Sequence, residues 1–256
     1  VSKYKKYNFR EMLDEYFEDE LLKQVLGIFL SNIGSLPENT SALAAYAVLK
    51  QFILSGGYYP LGGMQTIPNA LVETICNYGG QVIFNHSVKK ILVEDERVIG
   101  IKLATGEEFY SKNVISNADI TDTIQSLLRG HVNNLTYKKI ANVVPTASIY
   151  IVYIVLNVCL KNRFNSGPGL WYFLEKEVIE RDINLPNLKI MTNQAIFCSI
   201  ASKLDTSLCP SGSDYLRIMV NTKHFDQKFW SENSKTFSER LIKKAEEVIP
   251  WISNHV

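Results

Sequence analysis

Apolar positions along this chain recur at two periods, and the change from one to the other marks its organisation. Between Phe9 and Leu30 the period is helical: Leu13, Phe17, Leu21 and Val25 fall at every fourth residue, and Met12, Tyr16, Leu22, Leu26 and Phe29 widen the stripe. That spacing predicts one amphipathic helix or two with a core-facing side. Ser41–Leu54 (SALAAYAVLKQFIL) is apolar on nearly all sides, with Asn39-Thr40-Ser41 as its capping signal. Such a helix is expected either to be sandwiched in a core or to line an apolar cavity. A third helical pattern places Ile67, Ala70, Leu71, Thr74 and Ile75 at i, i+3, i+4, i+7 and i+8, with Pro68 in the tolerant first turn and Gly79-Gly80 as a left-handed stop.

After that helix the period falls to two. Gln81–Asn85 reads as a short strand. Val88–Val93, Val98–Leu103 and Glu108–Ile115 read as a meander with turns at Asp95-Glu96 and Thr105-Gly106. Ile120–Arg129 returns briefly to helix, and Tyr137–Ile140 reads as a turn or helix end. In Thr146–Asn157 both alternating sets are apolar, Ile149, Ile151, Tyr153 and Val155 against Tyr150, Val152, Ile154 and Leu156. This predicts a central strand covered on both faces. Leu170–Leu174, Ile196–Ala201 and Tyr215–Asn221 are expected to join it in one sheet, with a turn-rich Leu204–Ser213 between the last two. Thr236–Ile249 closes the chain as an amphipathic helix carrying Phe237, Leu241, Ala245 and Val248 on one face, ended by Pro250-Trp251. The predicted class is α+β (α/β): helices, a small helix-and-meander unit, then a mixed or antiparallel sheet flanked by helices.

Composition narrows the function classes more than it names one. A formal charge of +1 over 256 residues gives no global attraction to nucleic acid or to an anionic membrane. No apolar run approaches the ~18 residues of a membrane span. The start, VSKYKKYNF, is basic but lacks the apolar region of a secretory signal, so the expected compartment is the cytoplasm. A start without Met reads as a mature form or an excised piece. Cys76, Cys159, Cys198 and Cys209 form no C-x-x-C and have no histidine close in sequence, so they are expected as small buried hydrophobes and no metal site is predicted.

Catalytic motifs are missing. There is no G-x-S-x-G, H-E-x-x-H or Walker loop, and His86, His131, His224 and His255 stand isolated. Glu94-Asp95-Glu96 sits at an expected hairpin tip, and Glu175, Glu177 and Glu180 read as a solvated face. No G-x-G-x-x-G follows a strand: Gly167 and Gly169 begin one, but Tyr172 stands where the third glycine belongs. A dinucleotide pyrophosphate needs those glycines for close backbone approach. No catalytic residue can be named on this basis.

The stretch YYPLGGMQTIPNAL…GGQVIFNHSVKKILVEDERVIGIKLATGEEFYSKNVISNAD, residues 58–119, is similar to the middle of the phytoene dehydrogenase/carotenoid isomerase/retinol saturase family of FAD-dependent oxidoreductases, within the amine oxidase superfamily. Upstream, TSALAAYAVL resembles the family's helix before the glycine loop. Downstream, ASIYIVYIVLN, PSGSDYLRIMV and FSERLIKKAEEVIPWI resemble its substrate-domain strand and its closing strand and helix. The resemblance implies that Val88 offers backbone to the adenine and that the Ser116-Asn117-Ala118-Asp119 turn lies beside the adenosine. It also implies that Gly62, Gly63 and Met64 lie toward the flavin ring and a lipid pocket.

On this resemblance, residues 1–55 are expected as a helical part of a substrate domain, 56–120 as a portion of an FAD-binding domain, and 121–256 as the substrate-binding domain. The implied activity is desaturation, saturation or isomerisation of a polyene, isoprenoid-like or other lipidic substrate. FAD is the cofactor of the intact parent, and a piece without the glycine fingerprint is expected to retain it poorly and to be inactive alone. Expected partners are a hydrophobic small molecule and the remainder of the FAD domain, not nucleic acid. Peripheral membrane contact is the accompanying hypothesis. Rab GDP-dissociation inhibitors carry a similar Y-P-L-x-G loop and V-x-x-I-x-V meander, which leaves a prenyl-protein binding module without catalysis as the alternative.

Overall fold

The computed structural model describes residues 3–143, 146–160, 167–173, 195–222 and 224–255. Leu174 and the glutamates Glu175, Glu177 and Glu180 lie outside the described residues. The chain divides into two compact units, residues 1–68 with 146–256 (the sheet unit) and residues 69–145 (the meander unit).

The sheet unit begins with two helices where the apolar stripe allowed one or two. Helix α1 (Phe9–Tyr16) opens on a capping box in which Asn8 and Glu11 each accept the other's backbone N–H at 2.8 Å. Phe17 is extended, and Asp19 starts α2 (Glu20–Gly27) by accepting the N–H groups of Leu21 and Leu22. Helix α3 (Ala42–Lys50) departs from expectation twice. Ser41 makes no side-chain cap, because the helix start is tied instead by backbone: Phe9 N–H donates to Thr40 O and Ala42 N–H to Tyr7 O. Of α3's two expected placements, the sandwiched one does not form among the described residues. Ala45 and Leu49 pack with Phe9, Leu13 and Leu30, while Tyr46 on the far side is 55% exposed and Leu54, in the π-turn Gln51–Ser55, is 71% exposed.

In the meander unit, α4 (Thr66–Asn77) crosses in from the sheet unit and ends as the glycine pair predicts. Gly79 is left-handed (φ 78°), its N–H donates to Cys76 O, and Gly80 N–H reaches back to Ile75 O. This is a Schellman stop. Strands β1 (Val88–Glu94), β2 (Arg97–Leu103) and β3 (Glu108–Tyr110) form an antiparallel sheet in that order. Asp95 (φ 46°) and Glu96 (φ 60°) make the tight turn with both residues left-handed. Gly100 lets the strands close, since a Cβ there would sit 2.1 Å from the Phe109 carbonyl oxygen.

Two expected strands fall short here. Gln81–Asn85 forms no strand and joins no sheet among the described residues. Strand β3 stops at Tyr110 because the Ser111 hydroxyl folds the chain back on Asn113, at 2.9 Å to its carbonyl and 3.3 Å to its N–H, which leaves Ile115 96% exposed. Asp119 caps the short helix α5 (Ile120–Asp122), which runs into a π-turn, Thr123–Leu127, and Asn133 caps α6 (Asn134–Ala141).

The rest of the sheet unit carries β4 (Ser148–Leu156), β5 (Gly169–Phe173), β6 (Ala195–Ile200), the short α7 (Ala201–Leu204), β7 (Asp214–Thr222) and α8 (Gln227–Ala245). The strands are all antiparallel, in the order β4-β7-β6-β5. The expected class, α+β with an antiparallel sheet and flanking helices, is what the chain forms.

The expected central strand is not central. Among the described residues β4 is an edge, and only one of its faces is fully covered. Ile154, Leu156, Ile196, Cys198, Leu216 and Ile218 form the core with Phe237, Leu241 and Ala245 of α8. Tyr150 stacks on Trp230 at 4.7 Å and meets Phe237 edge-on. Helix α8 starts at Gln227 rather than Thr236, because Asp226 accepts the Phe229 N–H at 2.8 Å and sets an N-cap ahead of a polar first half.

Below this core, the Asp214 carboxylate is 1% exposed and gathers the Leu160 N–H (3.0 Å), the Ser202 N–H and hydroxyl, the Tyr215 N–H and the Cys209 thiol. The expectation of four buried cysteines holds for Cys198 but not for Cys76, which is exposed on α4.

Candidate functional site

The other face of the β4–β7 sheet is the more open one: among the described residues it is only partly covered, with Tyr153 and Val155 exposed and Ile151, Met219, Phe197 and Trp171 half-buried, and strand register arranges its side chains in rows. Ile151, Met219, Phe197 and Trp171 are successive cross-strand partners, as are Tyr153, Arg217, Ser199 and Gly169. These are the side chains that alternation sends away from α8. Phe197 tilts against Trp171 with ring centroids 4.7 Å apart, and Gly169 makes room for that ring, since a Cβ there would lie 2.8 Å from it. The first row is wholly apolar. The second brings one cation into the face: the Arg217 Nε donates to the buried Ser199 hydroxyl at 3.2 Å. Among the described residues no carboxylate pairs with that guanidinium.

The glycine loop comes to this face. Gly63 N–H donates to Pro60 O at 3.1 Å, and Gly62 (φ 80°) and Gly63 (φ 89°) are both left-handed. A Cβ on Gly63 would lie 2.9 Å from Leu208, so the position excludes side chains twice, by backbone and by space. Gly62 N–H donates to Asp205 Oδ2 at 2.7 Å, which docks the loop on the segment between β6 and β7. That N–H, followed by the N–H of Ser207, holds the Asp205 carboxyl below the ordinary range for an aspartate. A cavity of ≈ 340 Å³ lies between the loop residues Tyr59, Gly62, Gly63 and Met64 and the sheet residues Tyr153, Ser199, Tyr215 and Arg217. Burial, then Tyr59, pushes the Tyr215 phenol up, so it stays a neutral hydroxyl in the cavity wall.

Of the residues singled out from sequence, Gly62, Gly63 and Met64 therefore border this cavity. Val88, Ser116, Asn117 and Ala118 belong to the meander unit and are all exposed. Val88 opens the edge strand β1, whose outer backbone groups pair with no strand among the described residues. The Ser116 hydroxyl lies 2.8 Å from that of Thr123, on the π-turn against which β1 also packs. The meander unit thus brings the strand beginning at Val88 and the Ser116 turn to one corner. Asp119 caps the helix that follows, and the N–H of Thr121 leads in lowering its carboxyl. An open strand edge and small exposed side chains fit a group read through its hydrogen-bonding edge, as an adenine is. The 256 residues contain no glycine fingerprint for a pyrophosphate.

Asp205, Arg217 and Ser199 were not legible as site residues. Asp205 meets Gly62 across 143 positions, and no periodicity links them. The single charged residue in the outward set of β7 was the available signal for Arg217. Among the described residues no cluster of metal-ligating side chains occurs, and no helix is long and apolar enough to cross a membrane.

The chain is similar in sequence and fold to several known proteins. Prolycopene isomerase 2 of an Oncidium hybrid cultivar is 28% identical over 229 residues, 85% of this chain and 37% of that protein. A lycopene-forming phytoene desaturase of Pseudescherichia vulneris is 28% identical over 150 residues, 57% of this chain and 30% of that protein. The chain thus spans about a third of the length of these relatives. An oxidoreductase of Methanosarcina mazei shares the fold, with a TM-score of 0.68 at 17% identity over 95% of this chain and 53% of that one. The family model of the flavin-containing amine oxidoreductases matches residues 1–145, more than half of the 256. The chain belongs to the flavin-containing amine oxidoreductase family, on the phytoene dehydrogenase-like side that its glycine loop and Ser-Asn-Ala-Asp turn resemble.

Proposed function

We propose that this chain supplies the substrate wall, and one strip of the cofactor-binding layer, of a flavoprotein that desaturates, saturates or isomerises a polyene or isoprenoid-like substrate. The observation that carries the reading is the open apolar sheet face with a glycine loop pinned over it. Two-sided apolarity in β4 costs solubility unless something apolar lies on the open side. A rod-like polyene is such a partner, and the names of the isomerase and desaturase relatives support that class.

The bound flavin would supply the hydride or electron chemistry. What the chain's own residues do is bind, orient and exclude water. Ile151, Met219, Phe197 and Trp171 hold the substrate flat, and the loop at Gly62, Gly63 and Met64 brings backbone rather than side chains toward the reacting part of the site. Val88, Ser116, Asn117 and Ala118 are the residues we assign to the adenosine end. We take the division of labour to follow residues 56–120 for the cofactor layer and the flanking segments for the substrate.

The test uses tryptophan emission, to which Trp171 on the open face contributes with Trp230 and Trp251. A conjugated polyene added to the purified chain is expected to quench it saturably, and Ile151→Asn is expected to weaken that binding. Equal quenching by wild type and variant would refute the assignment of this face. Flavin added to the same chain is expected to wash away, leaving it colourless; stoichiometric yellow protein would refute the view that the pyrophosphate site must come from elsewhere. Saturable binding of a prenylated protein with no response to polyenes would instead establish the non-catalytic alternative.

A further inference from the structure

The Arg217 guanidinium has no role in a site built solely for hydrocarbon. It stands mid-strand in β7, on the open face, one row from Ile151, Met219, Phe197 and Trp171. Its Nε is spent on Ser199, and that bond fixes the plane of the fork while the two Nη groups remain without a carboxylate among the described residues. The neighbouring groups do not neutralise it either. Tyr59, Tyr153 and Tyr215 line the same cavity, and burial pushes the Tyr215 phenol up. Asp205, the carboxylate at the loop's docking point, is engaged by the N–H groups of Gly62 and Ser207. A half-buried cation, held by one bond to Ser199 in a cavity it shares with three tyrosines and bordered by an apolar row, matches a ligand with two different ends.

We infer that the cavity binds an amphipathic ligand, an apolar chain ending in a carboxylate, with the carboxylate on Arg217 and the chain along the Ile151–Trp171 row. This rests on the proposed reading of the open face as the substrate wall and names the chemical class of one end of what lies there. Arg217 is on this view a specificity residue that sets which end of the ligand enters the cavity.

The experiment compares cis-parinaric acid, a fluorescent polyene carboxylate, with its methyl ester on the purified 256-residue chain at neutral pH. A charge-assisted, fork-matched pair predicts about tenfold tighter binding of the acid than of the ester. Arg217→Met, which keeps length and removes charge, is expected to bring the acid down to the ester's affinity and leave the ester unchanged. Arg217→Lys is expected to retain part of the preference. Equal affinities for acid and ester in the wild type, or an undiminished preference in Arg217→Met, overturn the inference while leaving the polyene wall standing. Binding of neither probe overturns the wall and the inference together. Should Arg217→Met not fold, the acid–ester comparison in the wild type and Arg217→Lys still decide.

Discussion

Asp214 is the most demanding single position in the sheet unit. Its carboxylate is 1% exposed and serves the Leu160 N–H at 3.0 Å, the Ser202 N–H at 3.2 Å and the Tyr215 N–H at 2.9 Å, besides the Ser202 hydroxyl and the Cys209 thiol. It therefore joins the segment after β4, the start of α7 and the start of β7. Asp214→Ala removes the acceptor and leaves at least two buried backbone donors and a hydroxyl without partners. At about 1–3 kcal/mol for each orphaned group, with partial relaxation, the loss is about 3–5 kcal/mol. Asp214→Asn keeps one acceptor oxygen but turns an NH₂ toward donors, which costs about half as much.

The assay is urea unfolding followed by tryptophan emission. Trp171, Trp230 and Trp251 all lie in the sheet unit, so the signal reports that unit. With a slope of about 2–3 kcal/mol per molar, Asp214→Ala is expected to lower the midpoint by about 1.5 M. A shift under about 0.3 M would refute the reasoning, because it would mean these donors find water at no cost.

Three further outcomes follow from the same geometry. At the far end of β7 the Thr222 hydroxyl is fully buried without a partner among the described residues; Thr222→Val should therefore leave stability unchanged or raise it by up to about 1 kcal/mol, and a loss above 1 kcal/mol in the same urea assay would contradict this. Asp205 has its folded pKa lowered, so its contribution to holding the loop is complete above the unfolded value of about 4 and disappears as pH falls through the lower folded value. Amide exchange at Gly62, corrected for intrinsic rate, should thus stay protected at neutral pH and lose protection only in acid below that value, whereas Asp205→Ala, which removes the acceptor, should be unprotected and flat with pH. Burial pushes the Cys198 thiol up to about 12, while Cys76 is exposed. Maleimide at pH 7 should label Cys76 first and reach Cys198 only after unfolding, as read by peptide mass mapping.

How much of this was legible follows from how local each feature is. The α4 stop at Gly79-Gly80, the left-handed turn at Asp95-Glu96 and the first two strands of the meander are set within a few residues, and the sequence pattern carries them. The N-terminus of α8 was missed because its first turns are polar and its cap is a lone aspartate, Asp226. β4 was misplaced for a different reason. Apolarity on both faces reports that both are to be covered, not by what, and a strand with a helix on one side and an open face on the other has the same pattern as a central one. The loop's dock on Asp205 and the Arg217–Ser199 pair are long-range pairings of ordinary residues, and periodicity is blind to them.

The edge position of β4 has a cost in the absence of a ligand. Ser148–Leu156 is a nine-residue run without a charge, a proline or a glycine, and one row of its backbone donors and acceptors is unpaired by any strand among the described residues. Val155 and Tyr153 are 74% and 65% exposed beside it. Those are the properties of a cross-β template, in which a second copy of the same strand adds edge to edge. The apolar wall that suits a polyene thus makes self-association the competing fate of this chain. A ligand lying on that face would protect it from aggregation as well as occupy its site.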